Sequence, residues 1–194
     1  MTSISKAEQT RLHILRKAQE VFSKKGYFLA SMDEICKTAG VSKGSVYYHF
    51  KGKQDLFIAI LEQYSLDWMN KWQELSKDTT DAKSRLLAIA QHFASDLDSP
   101  MNKAVNEFAG SESADPKIRE KLIQMNESYI PVVRSIIADG VESGEFKTGD
   151  VDQMTMVTFG VLAGIGAVCQ MSGLEDPVAF HKAGIQLYLD GLGA

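Results

Sequence analysis

Residues 31–50 read Ser31-Met-Asp-Glu-Ile-Cys-Lys-Thr-Ala-Gly-Val-Ser-Lys-Gly-Ser-Val-Tyr-Tyr-His-Phe50. Ser31 stands three residues before Glu34, the spacing of a capping box, in which hydroxyl and carboxylate satisfy each other's free backbone N–H groups. The spacing predicts a short helix that turns Ile35 and Ala39 inward and stops at Gly40, a residue free to take the left-handed conformation of a helix end. Ser42 can cap a second short helix, with Val46 and Phe50 as its inward positions. Two short helices joined by a glycine-containing turn are a helix-turn-helix.

The second helix carries an unusual load. Ser42-Lys-Gly-Ser-Val-Tyr-Tyr-His49 puts two hydroxyls, a lysine, two tyrosines and a histidine into two turns, while packing needs only Val46 and Phe50. Such a density of donors suits a recognition helix in the DNA major groove, where Lys43 can reach guanine O6 or N7. Gly44 lets the backbone come close to the bases. Tyr47, Tyr48, His49 and Lys53 suit phosphates, which fix position but carry no sequence information. With Ser31, Ser42 and Ser45 these residues form the candidate DNA-binding set. A solvated polar helix is the bland alternative, and two adjacent exposed tyrosines argue against it. The same stretch holds Gly40-Val-Ser-Lys-Gly44, the G-x-S-x-G of an esterase nucleophile elbow with Ser42 as nucleophile. That elbow needs a buried strand before the serine, and Asp33–Ala39 reads as helix, so no enzymatic activity is expected.

Outward from this motif, charge divides the chain. The 194 residues carry 21 Lys and Arg against 25 Asp and Glu, a net charge of −4 that by itself argues against nucleic acid. The first 53 residues hold ten bases and four acids, a net +6, leaving −10 on the rest. A basic module 1–53 that meets a polyanion and an acidic module 54–194 with another task account for the split.

The remaining pattern is helical. Ser5-Lys-Ala-Glu8 is a further capping box, followed by Ile14, Leu15, Ala18, Val21 and Phe22 on one face and ended by Gly26. A long helix is expected from Gln54 to Leu75. Others follow from Asp81 to Leu97, Met101 to Ala109, Pro116 to Glu142, Val151 to Ser172, and Pro177 to Leu192. Asp115-Pro116 and Asp176-Pro177 supply an N-cap followed by proline at the first helical position. No segment shows a period of two, so the expected class is all-α with about nine helices.

Several features are read conservatively. Cys36 and Cys169 lie far apart without a C-x-x-C and suit buried thiols in a reducing compartment. Met1–Lys6 lacks the apolar stretch of a secretory signal, so a cytoplasmic location is expected. Met154–Leu174 is uncharged and long enough to span a bilayer, but its four glycines, Thr155, Thr158 and Gln170, with no flanking basic cluster, point to a helix at a subunit interface. Gly160-x-x-x-Gly164, with Ala163 and Ala167, then marks a close helix–helix contact, taken as the dimer interface. Gly164-Ile-Gly166 lacks the third glycine and the strand of a dinucleotide loop. His92 and Asp96, one turn apart, could hold a metal. His13, His49 and His181 are scattered, so neither a metal site nor a cofactor is expected.

The stretch Ser31–Lys53, followed by Asp55-Leu-Phe57, resembles the TetR family of bacterial repressors. Cys36 stands where a small alanine is usual. The resemblance implies three N-terminal helices that bind operator DNA as a dimer, and a helical ligand-binding and dimerisation domain behind them. A fainter likeness extends along most of the chain to the quaternary-ammonium and multidrug-sensing repressors of that family. It is carried by Lys43-Gly44, Tyr47–Phe50, Trp68, Trp72, Asn106-Glu-Phe108, Tyr129-Ile130 and Gly144-Glu145. By position, Trp68 and Tyr129 keep aromatic walls and Asp96 keeps a carboxylate, whereas Tyr64, Ser65 and Asn126 replace acidic residues. The implied pocket is less anionic than that of its relatives.

The residues themselves point the same way. Trp68, Met69, Trp72, Phe93, Phe108, Met125, Tyr129, Met156 and Phe159 are many large, soft side chains for helices around one small core. Each could equally be ordinary core. An acid such as Asp96 must be solvated, paired or facing a ligand. Trp68, Trp72, His92, Phe93, Asp96, Phe108, Met125, Asn126, Tyr129 and Phe159 form the candidate ligand set. The expected function is a homodimeric repressor released from its operator by a lipophilic small molecule, either a cation or a neutral lipid-like or metabolic compound.

Overall fold

The structure, a computed structural model, describes residues 5–97, 99–109 and 115–192. Among them are nine helices and no strand: α1 Lys6–Leu29, α2 Met32–Ala39, α3 Lys43–His49, α4 Lys53–Ser76, α5 Ala82–Asp96, α6 Pro100–Ala109, α7 Pro116–Glu142, α8 Val151–Ser172 and α9 Pro177–Leu192. The expected boundaries fall within a residue or two of these, because caps and prolines set them locally, except that α1 runs on past the kink at Gly26 to Leu29. Ser5, Ser31, Ser42 and Asp81 each accept a hydrogen bond from the backbone N–H three residues on. Asp115 and Asp176 do the same for the proline-led α7 and α9.

The helices form two compact units, described separately. The first comprises the described parts of Met1–Leu66 and Ser99–Met125, and the second those of Asp67–Asp98 and Asn126–Ala194. The unit holding the helix-turn-helix thus reaches beyond the basic segment 1–53, because α6 packs on α1. Met101, Ala104, Val105 and Phe108 recur along α6 at helical spacing and are all buried. Gly26 makes this packing possible. Its φ of 71° breaks α1 near its end, and a Cβ there would overlap the Glu107 carboxylate of α6.

In the second unit α5 lies against α9 and α8. Ile185 and Leu189 of α9, Leu86, Ile89 and Ala90 of α5, and Leu162 and Cys169 of α8 are buried. The Glu145 carboxylate accepts from the backbone N–H groups of Ala82 (3.0 Å) and Lys83 (3.2 Å), so the turn after α7 caps the start of α5.

By length and composition α8 could cross a membrane. Its inward positions Thr155, Thr158, Leu162, Gly166 and Cys169 are nevertheless buried in this unit. Thr158 donates to the Met154 carbonyl (2.7 Å), and its hydroxyl lies 2.8 Å from that of Tyr188. Cys36 and Cys169 are buried free thiols in different units.

Candidate DNA-binding and effector sites

The helix-turn-helix is held by its own backbone and by two side chains of α1. The N–H groups of Gly40 and Val41 close α2 in a left-handed turn, bonding the Lys37 and Cys36 carbonyls at 3.2 Å. His13 donates its Nε2–H to the Ala39 carbonyl at 2.9 Å, and the Arg11 guanidinium lies over the Phe50 ring at 5.2 Å. Val46 and Phe50 are fully buried, as the packing of α3 requires.

The opposite face of α3 is open. Tyr47 and Tyr48 are 45% and 79% exposed. Ser42, Lys43 and Gly44 are exposed, Ser45 and His49 half-buried. Nothing on the protein approaches the place a Gly44 Cβ would occupy more closely than 3.9 Å. Lys43 forms an ion pair with Asp33 of α2 at 2.7 Å, and that carboxylate raises its pKa. Such an exposed pair is screened by solvent and holds its partners weakly, so DNA can compete with it. Ser31 and Ser42 serve as helix caps. The segment before Ser42 is helix α2, not the strand that a nucleophile elbow requires.

Lys53 is the one residue of the candidate DNA-binding set whose side chain reaches back to the end of α1. Its ammonium donates to the carbonyls of Ala30 (2.9 Å) and Phe28 (3.2 Å) and lies over the Tyr27 ring at 4.6 Å. Two of its three N–H donors are thus used within the protein, and burial pushes its pKa down. Lys53 therefore fastens the start of α4 to the end of α1 while staying only half-buried. The sequence shows only a lysine in a basic stretch. Its carbonyl partners lie more than twenty residues away.

The candidate ligand residues fall into two groups. Trp68 of α4, His92 and Phe93 of α5, Tyr129 of α7 and Phe159 of α8 form one cluster in the second unit. Trp68 stacks on His92 (ring centroids 4.3 Å apart) and meets Tyr129 at 4.4 Å and Phe93 at 4.9 Å. Phe93 in turn meets Tyr129 at 5.7 Å and Phe159 at 6.5 Å, both edge-on. His92 is 3% exposed, and its Nε2 lies 3.0 Å from the Trp68 carbonyl. Burial holds its pKa below the ordinary imidazole value, outweighing the Trp68 carbonyl and the nearby Asp96 charge, which act in the opposite sense. Asp96 is half-buried one turn further along α5, and Trp72 is buried one turn beyond Trp68.

Phe108 and Met125 belong to the first unit. Phe108 packs with Tyr27 (5.0 Å), Phe28 (5.8 Å) and Phe57 (6.1 Å). Asn126 and Met156 are exposed, so neither joins the cluster core. Gly160, Ala163, Gly164 and Ala167 all face outward on α8, and a Cβ at Gly160 or Gly164 would meet nothing within 4 Å. Among the described residues no cluster of three or more His, Cys, Asp or Glu could hold a metal. One buried histidine escaped the sequence reading. His181 of α9 donates Nδ1–H to the Pro177 carbonyl (2.9 Å), with Cys169 Sγ at 3.7 Å. Its four-residue spacing with Ile185 and Leu189 on an apolar face is the signal that could have revealed it.

Known proteins agree with this geometry. Residues 14–60 match "Bacterial regulatory proteins, tetR family", and residues 64–194 match "QacR-like protein, C-terminal region". The chain is 28% identical to the HTH-type transcriptional regulator QacR of Staphylococcus aureus (strain Mu50), over 92% of this chain and 96% of that one. It is equally 28% identical to a fatty acid metabolism regulator protein of Bacillus subtilis (strain 168), over 93% and 94% of the two chains. A crystal structure of the transcriptional regulator FadR from Bacillus subtilis, in complex with stearoyl-CoA, superposes with a TM-score of 0.77 at 26% identity, covering 93% of this chain and 98% of that one. With both parts of the sequence matched and the helix-turn-helix in place, the chain belongs to the tetR family of bacterial regulatory proteins, as a helix-turn-helix transcriptional regulator with a QacR-like C-terminal region.

Proposed function

We propose that this regulator is a cytoplasmic homodimeric repressor that leaves its operator when a lipophilic small molecule enters the Trp68 cluster. The observation that carries the reading is the cluster itself: aromatic rings from four helices pack together, and one of them, Trp68, stacks on a buried histidine. Recognition helix α3 supplies the DNA face. Ser31, Ser42, Lys43, Gly44, Ser45, Tyr47, Tyr48 and His49 are its contact residues, Lys43 reading a base and the tyrosines holding phosphates. Two such helices in a dimer would meet successive major grooves ~34 Å apart or somewhat more. The outward faces of α8 and α9 form the dimer contact, through Gly160, Ala163, Gly164 and Ala167. Exposed Met156, Val157 and Leu187 support this assignment, because they leave apolar surface in water.

Trp68 and Trp72 lie on α4, which begins at Lys53 in the helix-turn-helix unit. A ligand that displaces α4 would move the recognition helices out of register. It can weaken operator binding only by as much as it prefers the displaced form. A tenfold loss needs ~1.4 kcal/mol of coupling. A second reading, a lipid-like or metabolic effector, is favoured by the stearoyl-CoA held in the FadR relative.

A gel-shift with DNA flanking the gene is expected to show specific binding that weakens steeply with salt. No preference over random DNA would reject the repressor assignment. Tryptophan fluorescence titrated with lipophilic cations and with acyl compounds then separates the two effector readings.

A further inference from the structure

The Trp68 cluster contains a polar atom with nothing to do. The partner of His92 Nε2 is a carbonyl, which only accepts, so the ring proton sits on Nε2. His92 Nδ1 is therefore a bare lone pair, buried and without a hydrogen-bond partner. Buried acceptors are nearly always paired, and one that is not calls for an explanation. Among the described residues a second imidazole nitrogen is in the same position, Nε2 of His181. That atom lies 3.8 Å from the place a Gly166 Cβ would occupy, next to Leu97. His92 differs in standing against aromatic rings and near an acid. Trp68 stacks on its imidazole, Phe93 and Tyr129 pack on Trp68, and the Asp96 carboxylate is close enough to act on the ring.

We propose that His92 Nδ1 is the polar anchor of the effector site and that the effector is a protonated lipophilic amine retaining at least one N–H. The amine donates that N–H to Nδ1, its charge is balanced by Asp96 and the ring faces, and its alkyl or aryl body separates the stacked rings. A quaternary ammonium has the charge and the bulk but no donor. An acyl thioester group has neither charge nor donor. Burial keeps His92 neutral at physiological pH and hence an acceptor. The bond from His92 to the Trp68 carbonyl links this anchor directly to α4, the helix that a ligand must move. The inference rests on reading the Trp68 cluster as the effector site, and the following experiment separates the failure of one from the failure of the other.

The full-length protein is titrated with N,N-dimethyldecylamine, protonated at neutral pH with one N–H, and with decyltrimethylammonium, which has the same chain and no N–H. Tryptophan fluorescence reads binding and a gel-shift reads operator release. The amine is expected to bind at least tenfold more tightly and to release DNA at correspondingly lower concentration. In His92→Phe, which keeps the stack and removes both nitrogens, the preference is expected to collapse. In His92→Gln, whose amide nitrogen can donate to the Trp68 carbonyl while its oxygen still accepts, part of the preference is expected to remain. Equal affinity of the wild type for both compounds overturns the anchor and leaves the site standing, as does a preference that survives in His92→Phe. Binding of decanoyl or stearoyl thioesters with no response to either amine overturns the amine assignment. If nothing binds and operator DNA is never released, the cluster is not an effector site and the anchor falls with it.

Discussion

Two aromatic clusters of similar size occupy the two units, and each contains one ionisable side chain. In the first, Phe22, Tyr27, Phe57 and Phe108 pack at 4.9 to 6.1 Å around the end of α1, and the ammonium of Lys53 caps Tyr27. In the second, Trp68, Phe93, Tyr129 and Phe159 pack on one another, and Trp68 stacks on His92. The rings alone do not tell the two apart. What differs is how completely the polar group is satisfied. Lys53 is held by two carbonyls and a ring face within its own unit. His92 keeps a buried acceptor that nothing in the chain satisfies, and this is the atom on which the proposed anchor rests. An aromatic cluster is better read as core or site from the hydrogen-bond state of its polar member than from the number of its rings.

The largest expected effect tests the first cluster. Phe57 is fully buried, and Phe57→Ala should cost ~3–5 kcal/mol by loss of transfer energy and by the cavity left behind. Phe93 is half-buried, and Phe93→Ala should cost about 2 kcal/mol or less. Thermal unfolding measures both. If the clusters differ as described, Phe57→Ala abolishes operator binding together with the fold. Phe93→Ala keeps operator binding and loses response to the effector. A reversal of the two phenotypes would erase the distinction.

Next in size is Lys53→Met. Loss of its two charge-assisted hydrogen bonds should lower stability by about 2 kcal/mol, the side chain being only partly buried. The sharper readout is salt. Removing a phosphate contact reduces the slope of log affinity against log salt by about 1. Operator affinity of Lys53→Met should fall for every sequence with the slope unchanged, whereas Tyr47→Phe weakens binding from the DNA face itself. A slope lowered by about 1 in Lys53→Met would return that residue to the phosphates.

Lys43→Ala should barely change stability, because its ion pair with Asp33 is exposed and screened by solvent. It should relax preference at one base pair by roughly 1–3 kcal/mol. A panel of operators substituted at single positions reads this directly, and an unaltered preference profile would remove Lys43 from base reading.

These residues also show what a sequence can disclose. Helix ends were legible because Ser5, Ser31, Ser42, Asp81, Asp115 and Asp176 act on backbone groups two or three residues away. The exposed polar face of α3 was legible because α3 needs only Val46 and Phe50 for packing and leaves the rest outside. The hydrogen bonds of Lys53 and the packing of Phe108 were not, since their partners come from the end of α1 and no local spacing encodes them. Phe108 reads as one more large side chain until α6 lies on α1. His92 was selected for its spacing with Asp96, and its actual partner, a carbonyl on α4, comes from tertiary structure.

The smallest expected effect concerns pH. Burial lowers the pKa of both His92 and His181 from the ordinary value of 6.5. At pH values above 6.5 both imidazoles are neutral whether the chain is folded or not, and they contribute no pH dependence. As pH falls below that value the unfolded chain takes up protons that the folded chain refuses, so the unfolded state is favoured and stability declines. The decline continues down to the lowered pKa values of the folded state and then levels off. Melting temperature is therefore expected to fall between pH 7 and pH 5, and the fall should be shallower in His92→Gln and shallowest when His181→Gln is added. Effector amine at saturating concentration should deepen the wild-type dependence, because an imidazole that accepts an N–H is held deprotonated more firmly. The same amine should have no such influence in His92→Gln. A pH dependence untouched by either substitution would mean that neither imidazole is buried neutral, and the contrast between Lys53 and an unsatisfied His92 would lose its second half.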